Sequence, residues 1–124
     1  MALELEELTG RIIGAAIEVH RQLGPGFLES IYENALFYEL QRRSLKVVRQ
    51  VEVPVIYAGT IEVGKHRLDL FVENEVVVEL KTVSEFEDIH FAITRSYLRA
   101  TKKKHGLLLN FAKTTLDVKR VIAP

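Results

Sequence analysis

Asp69, Glu79 and Lys81 stand in one stretch, His66-Arg67-Leu68-Asp69-Leu70-Phe71-Val72-Glu73-Asn74-Glu75-Val76-Val77-Val78-Glu79-Leu80-Lys81, whose pattern sets two carboxylates against each other. Two alternating runs flank the polar tip Glu73-Asn74-Glu75, the pattern of a β-hairpin. With Val72 opposite Val76, Leu70 faces Val78, Leu68 faces Leu80, and one side of the hairpin is apolar. A slip of one residue would place Val77 and Glu79 on that side, which the side-chain period of two penalises. In the favoured register Asp69 lies opposite Glu79, with Lys81 on the same side two residues on. Like charges directly opposite destabilise a strand pair. The arrangement makes poor structure and good chemistry if a divalent cation sits between the acids.

The elements that must position these groups can be read along the chain. Leu5, Leu8, Ile12, Ala15, Ala16, Val19 and Leu23 recur at helical spacing, and Gly24-Pro25-Gly26 ends that helix. A second helix is expected over about Leu28 to Arg43. Val47 to Ala58 has β-branched, alternating character, and Pro54 within it marks an edge or a bulge. After the hairpin, Ser84-Glu85-Phe86-Glu87 has capping-box spacing, and Phe86, Ile89, Ile93, Tyr97 and Ala100 keep one helical face to about Thr101. His105 to Phe111 and Leu116 to Ile122 read as strands. The order is helix, helix, three strands, helix, two strands. That is a mixed α/β domain with a sheet covered by helices.

Composition narrows the field. With 124 residues, one domain over 1–124 is expected. The apolar fraction of 48% suits a globular core rather than disorder. The absence of cysteine excludes disulfides and cysteine-ligated metal and fits a reducing compartment. The start lacks a basic region followed by an apolar one, and no apolar run has membrane-spanning length, so a cytoplasmic protein is expected. The 17 basic and 17 acidic residues cancel, so no overall basic footprint supports nucleic-acid binding, although a local strip remains compatible.

Gly26-Phe27-Leu28-Glu29-Ser30-Ile31-Tyr32 fits a G-x-x-E-x-x-Y signature. With the surrounding Ile17-Glu18-Val19-His20-Arg21-Gln22-Leu23-Gly24-Pro25-Gly26 and Gly106-Leu107-Leu108-Leu109-Asn110-Phe111, the chain resembles the bacterial GxxExxY family from about Leu8 to Ile122. That family is grouped with the PD-(D/E)XK nuclease-like superfamily, and Asp69 and Glu79-Leu80-Lys81 match the superfamily signature. The resemblance implies a restriction-endonuclease-like αβββαβ core, with an extra N-terminal helix and a C-terminal strand. It also implies phosphodiester cleavage dependent on Mg²⁺ or Mn²⁺. Glu29 matches the helix acid that joins the metal site in many such nucleases. One departure stands out: relatives often carry glutamine four residues before the tyrosine of the last helix, where this chain has Ile93.

On this reading Asp69 and Glu79 hold the cation with Glu29 nearby, and the Leu80 carbonyl completes the shell. Lys81 orients the attacking water or meets developing charge. Tyr32, Arg67 and Tyr97 shape the substrate site. Each group has a plainer reading. Lys81 offsets two acids on a wet sheet face. Glu29 is a favourable charge at a helix N-terminus, with Tyr32 sharing its helix face. His20 satisfies carbonyls near a helix end or stands near the metal. His90 is a packed histidine, and His66 and His105 are structural or exposed. Arg95, Arg99 and Lys103, extended by Lys102 and Lys104, suit a phosphate backbone or form a solvated helix end. Arg67 contacts a phosphate or pairs with Glu79 or Glu29. The partner implied is nucleic acid, and cutting both strands of a duplex would call for a homodimer. The rival reading is a non-cleaving module for nucleic acid or protein on the same fold.

Overall fold

The computed structural model describes residues 5–124, so Met1 to Glu4, on which the reading of the chain start partly rests, lie outside the described residues. Helices α1 (Leu5–Leu23) and α2 (Glu29–Arg42) precede strands β1 (Val47–Tyr57), β2 (Ile61–Val72) and β3 (Val76–Lys81). Helix α3 (Asp88–Thr101) leads to β4 (His105–Asn110) and β5 (Asp117–Ile122). The element order and the helix-flanked mixed sheet are those expected. The strands lie in sequence order, with β3 and β4 parallel and the other pairs antiparallel. The crossover through α3 is what makes a parallel pair possible. No described helix is long and apolar enough to cross a membrane.

Two apolar layers sandwich the sheet. Leu8, Ile12, Ala15 and Val19 of α1 and Tyr32, Leu36 and Leu40 of α2 pack with Leu70, Val72, Val76, Val78, Leu80, Leu107 and Leu109. On the other face Leu98 of α3 packs with Leu68, Val77, Leu108 and Val121, joined by Val51, Val53 and Phe71. This second layer is smaller, since a single helix covers it.

The hairpin turn is as tight as its sequence asked: Glu73 and Asn74 both have φ of 54°, and the Glu75 N–H donates to the Val72 carbonyl at 3.0 Å. Such a pair of left-handed residues matches the twist of the flanking strands. Pro54 sits on the edge strand, and the β1–β2 register shifts just beyond it, between Val55 and Ile56. Helix α3 starts later than expected. Its capping box is formed by Glu87 and His90, with the Glu87 N–H donating to His90 Nδ1 at 2.8 Å, and not by Ser84 and Glu87. The box spacing is present twice, three residues apart, and the later copy is the one used.

Candidate metal and substrate site

The expected register holds at Val72–Val76 and Leu70–Val78, but the β2–β3 backbone ladder ends there. Beyond it the two acids take over the pairing. The Asp69 N–H donates to Glu79 Oε2 at 2.9 Å, and the Leu80 N–H donates to Asp69 Oδ2 at 2.9 Å. Each carboxylate thus occupies the place of a backbone acceptor on the neighbouring strand. The expectation that Leu68 faces Leu80 on one continuous apolar side is corrected. Leu68 packs in the α3 layer, while Leu70 and Leu80 pack in the α1/α2 layer.

The same change of face occurs in β1, where Val47 belongs to the first layer and Val51 and Val53 to the second. Residues two apart keep one face on a regular strand, so both strands are broken between these positions. The break is visible in the ladder: Arg49 pairs with Leu70 and Val51 with Leu68, but Gln50 and Asp69 do not pair. Gln50 has φ of 51°, in the left-handed region.

Glu79 is 4% exposed, which pushes its carboxyl up to about 8, the Asp69 charge adding to the burial. Asp69, half-buried, is pushed up to about 6, again chiefly by burial, with Glu33 and Glu29 adding and the Leu80 N–H opposing. Burial, more than the like charge of the pair, is the larger cause of both shifts. Glu29, the first residue of α2, is half-buried and also shifted upward by burial, with Lys81 opposing. Lys81 is half-buried at the end of β3 and makes no ion pair among the described residues. It is the cation that acts on all three acids. Tyr97, from α3, is pushed up to about 12 by burial and by the charges of Glu79 and Asp69. The structure therefore brings Asp69, Glu79, Glu29, Lys81 and Tyr97 to one neighbourhood.

Other expected site residues lie elsewhere. Tyr32 is fully buried, stacked on Phe111 with centroids 4.6 Å apart. Its hydroxyl donates to the Gly24 carbonyl at 2.5 Å and accepts from the Phe27 N–H at 3.2 Å. It closes the α1–α2 turn and presents nothing to a substrate. Arg67 pairs across the strand with Glu52 at 3.5 Å, and not with Glu79 or Glu29. His20 is bonded through Nε2 to the Lys113 carbonyl at 2.8 Å, which is the structural role. Arg99 lies beside His66, and with Lys102 it lines a groove of about 400 Å³ between α3 and the β1–β2 ribbon. Arg95 is half-buried on the same helix. Lys103 faces Glu75 at 3.9 Å, so the expected basic strip is divided.

Two buried polar residues beside the site were not anticipated. Glu33, one turn after Glu29, is buried and accepts from Gln50 Nε2 at 2.9 Å on each oxygen and from Arg49 at 3.3 Å. Asn110, fully buried, donates to the Val83 carbonyl at 2.7 Å and accepts from the Val83 N–H at 3.1 Å. It fixes the chain leaving Lys81. A buried asparagine ending an otherwise apolar strand was the available signal, since buried amides need partners. Glu33 carried no such signal, because its partners come from a different element.

The donor set suits a divalent cation. Asp69 and Glu79 each use one oxygen on a backbone N–H, and their second oxygens accept no hydrogen bond from the described residues. Among the described residues no group of three His, Asp or Glu converges on one point. Two hard carboxylate oxygens with water filling the other positions is the habit of Mg²⁺ and ions like it.

The sequence matches the PD-(D/E)XK nuclease superfamily model over residues 6–121, and the chain belongs to that superfamily. The solved structure of SSO0001 has a similar fold, with a TM-score of 0.62 at 20% identity. The match covers 77% of this chain and 50% of that one, so this chain spans about half the length of SSO0001. No curated protein matches the chain. Superfamily members generally use divalent metals and act on nucleic acid.

Proposed function

We propose that the chain is a metal-dependent nuclease, with Mg²⁺ or Mn²⁺ held by Asp69 and Glu79, Glu29 nearby and the Leu80 carbonyl as a further oxygen. The observation that carries this reading is the acid pair itself. Two carboxylates share one break between strands, each fixed through one oxygen and open through the other, with Lys81 beside them. Burying two acids in this way costs stability unless a cation or proton neutralises them. A bound divalent ion supplies a polarised phosphoryl oxygen and an acidified water.

The protein's own groups then have distinct tasks. Asp69 and Glu79 are held rigid by the backbone N–H groups, so the donors need little reorganisation. Lys81 orients the attacking water and meets charge that develops on the phosphoryl oxygens. Tyr97 stands near the acids from the opposite layer, and its phenol, protonated at neutral pH, can donate a hydrogen bond. Arg99 and Lys102 hold the nucleic-acid backbone further along α3, with Arg95 on the same helix.

The test is a panel of single- and double-stranded DNA and RNA with Mg²⁺ or Mn²⁺, run beside Lys81→Ala. Metal-dependent cleavage lost in Lys81→Ala supports the assignment, and cleavage undiminished in that variant refutes it. A binding module is the second reading, favoured by Ile93, which is 37% exposed on α3 where relatives often place a polar residue. A module would bind nucleic acid or protein with no cleavage, and Lys81→Ala would leave that binding intact. A homodimer belongs with the nuclease reading only if duplexes are cut on both strands.

A further inference from the structure

We infer that Glu33 and Gln50 form a lock that positions Asp69, by holding open the break in the β1–β2 ladder where that residue stands. The inference deepens the metal-site reading and rests on it for function, but its structural content is independent of any ion.

The argument begins with the backbone. Gln50 is a non-glycine residue at φ of 51°, in the middle of an 11-residue strand. Such a conformation persists only where the surroundings determine it. Here they do: the Gln50 amide lies across both oxygens of Glu33 at 2.9 Å, and Arg49 reaches the same carboxylate at 3.3 Å. Glu33 is itself buried on α2, in the middle of a helix, so its position is set by the packing of Tyr32, Leu36 and Leu40. A helix fixed in the core thus grips the one residue of β1 that has no partner in the β1–β2 ladder.

Opposite Gln50 in the sequence of pairs stands Asp69, which is likewise left out of the ladder. On either side of these two residues the apolar side chains exchange layers. If Gln50 returned to an extended conformation, the regular period of two would restore pairing at Asp69 and carry Val51 and Leu68 to the opposite face. The Asp69 N–H to Glu79 bond and the Leu80 N–H to Asp69 bond are made at the residue where this ladder is broken. Glu33 therefore acts on the acid pair through Gln50. Nothing in the G-x-x-E-x-x-Y pattern includes it.

The test measures backbone amide exchange and Mn²⁺ binding in Glu33→Ala and Gln50→Gly. In each, exchange of the Asp69 and Leu80 amides should accelerate by tenfold or more, while the Val77 and Val78 amides keep their rates. Mn²⁺ affinity by calorimetry should fall about 10- to 100-fold, the usual range for a residue that orients metal ligands. Glu33→Gln keeps a carbonyl acceptor for the Gln50 amide and should retain most of the protection. Gln50→Gly tolerates positive φ and serves where Glu33→Ala does not fold. Unchanged Asp69 and Leu80 amides in a folded variant overturn the inference, as does uniform acceleration across all strands. If wild-type protein binds no Mn²⁺, the metal reading fails, and the exchange rates still decide whether the lock exists.

Discussion

Replacing Glu79 by glutamine should stabilise the metal-free protein while abolishing its response to metal. The carboxyl is buried and stays protonated up to about pH 8, whereas in the unfolded chain it ionises near its ordinary value of 4.5. A folded pKa raised above the unfolded one gives stability that is fully present below 4.5 and is lost as pH rises through 8. At pH 7 the loss spans about two and a half pH units at about 1.4 kcal/mol each, so roughly 3 kcal/mol. Glutamine has nearly the shape of the protonated acid, and its carbonyl still accepts the Asp69 N–H. For a chain of this size about 3 kcal/mol corresponds to roughly 10 °C in Tm. Melting curves from pH 4.5 to 8.5 in chelator should therefore separate, with the variant increasingly the more stable. Mn²⁺ at about 1,000 times the dissociation constant should reverse the order at pH 7, because a site bound only in the folded state then gains about 4.1 kcal/mol. A variant less stable than wild type at pH 8 without metal, with parallel pH profiles, would refute the reasoning. It would mean that Lys81 compensates an ionised Glu79.

Lys81→Ala should abolish cleavage with little loss of nucleic-acid affinity, since its task falls in the transition state; turnover and binding measured on the same preparation decide this. Arg99→Ala should weaken binding and lower the slope of log affinity against log salt by about one, which a salt titration reads directly. Tyr32→Phe should cost about 1–2 kcal/mol in denaturant unfolding, through loss of the bonds to Gly24 and Phe27, and leave substrate affinity unchanged. A substrate effect larger than the stability effect would return Tyr32 to the site.

The fold was legible because its signals are local. Helical spacing in α1, glycine and proline between α1 and α2, and alternation on either side of Glu73-Asn74-Glu75 each name an element without reference to the rest of the chain. The acid pair was legible for a related reason: an apolar side fixed the register, and the register set Asp69 against Glu79. What could not be read is the break. The period-two argument assumes a regular strand, and it assigned Leu68 to the wrong layer because β2 changes face at Asp69. The cause lies in Gln50 and Glu33, which are 17 residues apart and carry no mark of their contact. Tyr32 failed in the opposite direction. Its motif drew it toward the substrate, whereas the fold uses it to stack on Phe111 and close the turn before Glu29. Yet the two outcomes agree physically. Tyr32 and Phe111 tie the start of α2 to the strand beside β3, and the Phe111 N–H donates to the Lys81 carbonyl at 3.0 Å. The tyrosine of the motif therefore contributes to the site by fixing Glu29 and Lys81 with respect to each other, and the motif records a scaffold for the chemistry as much as the chemistry itself.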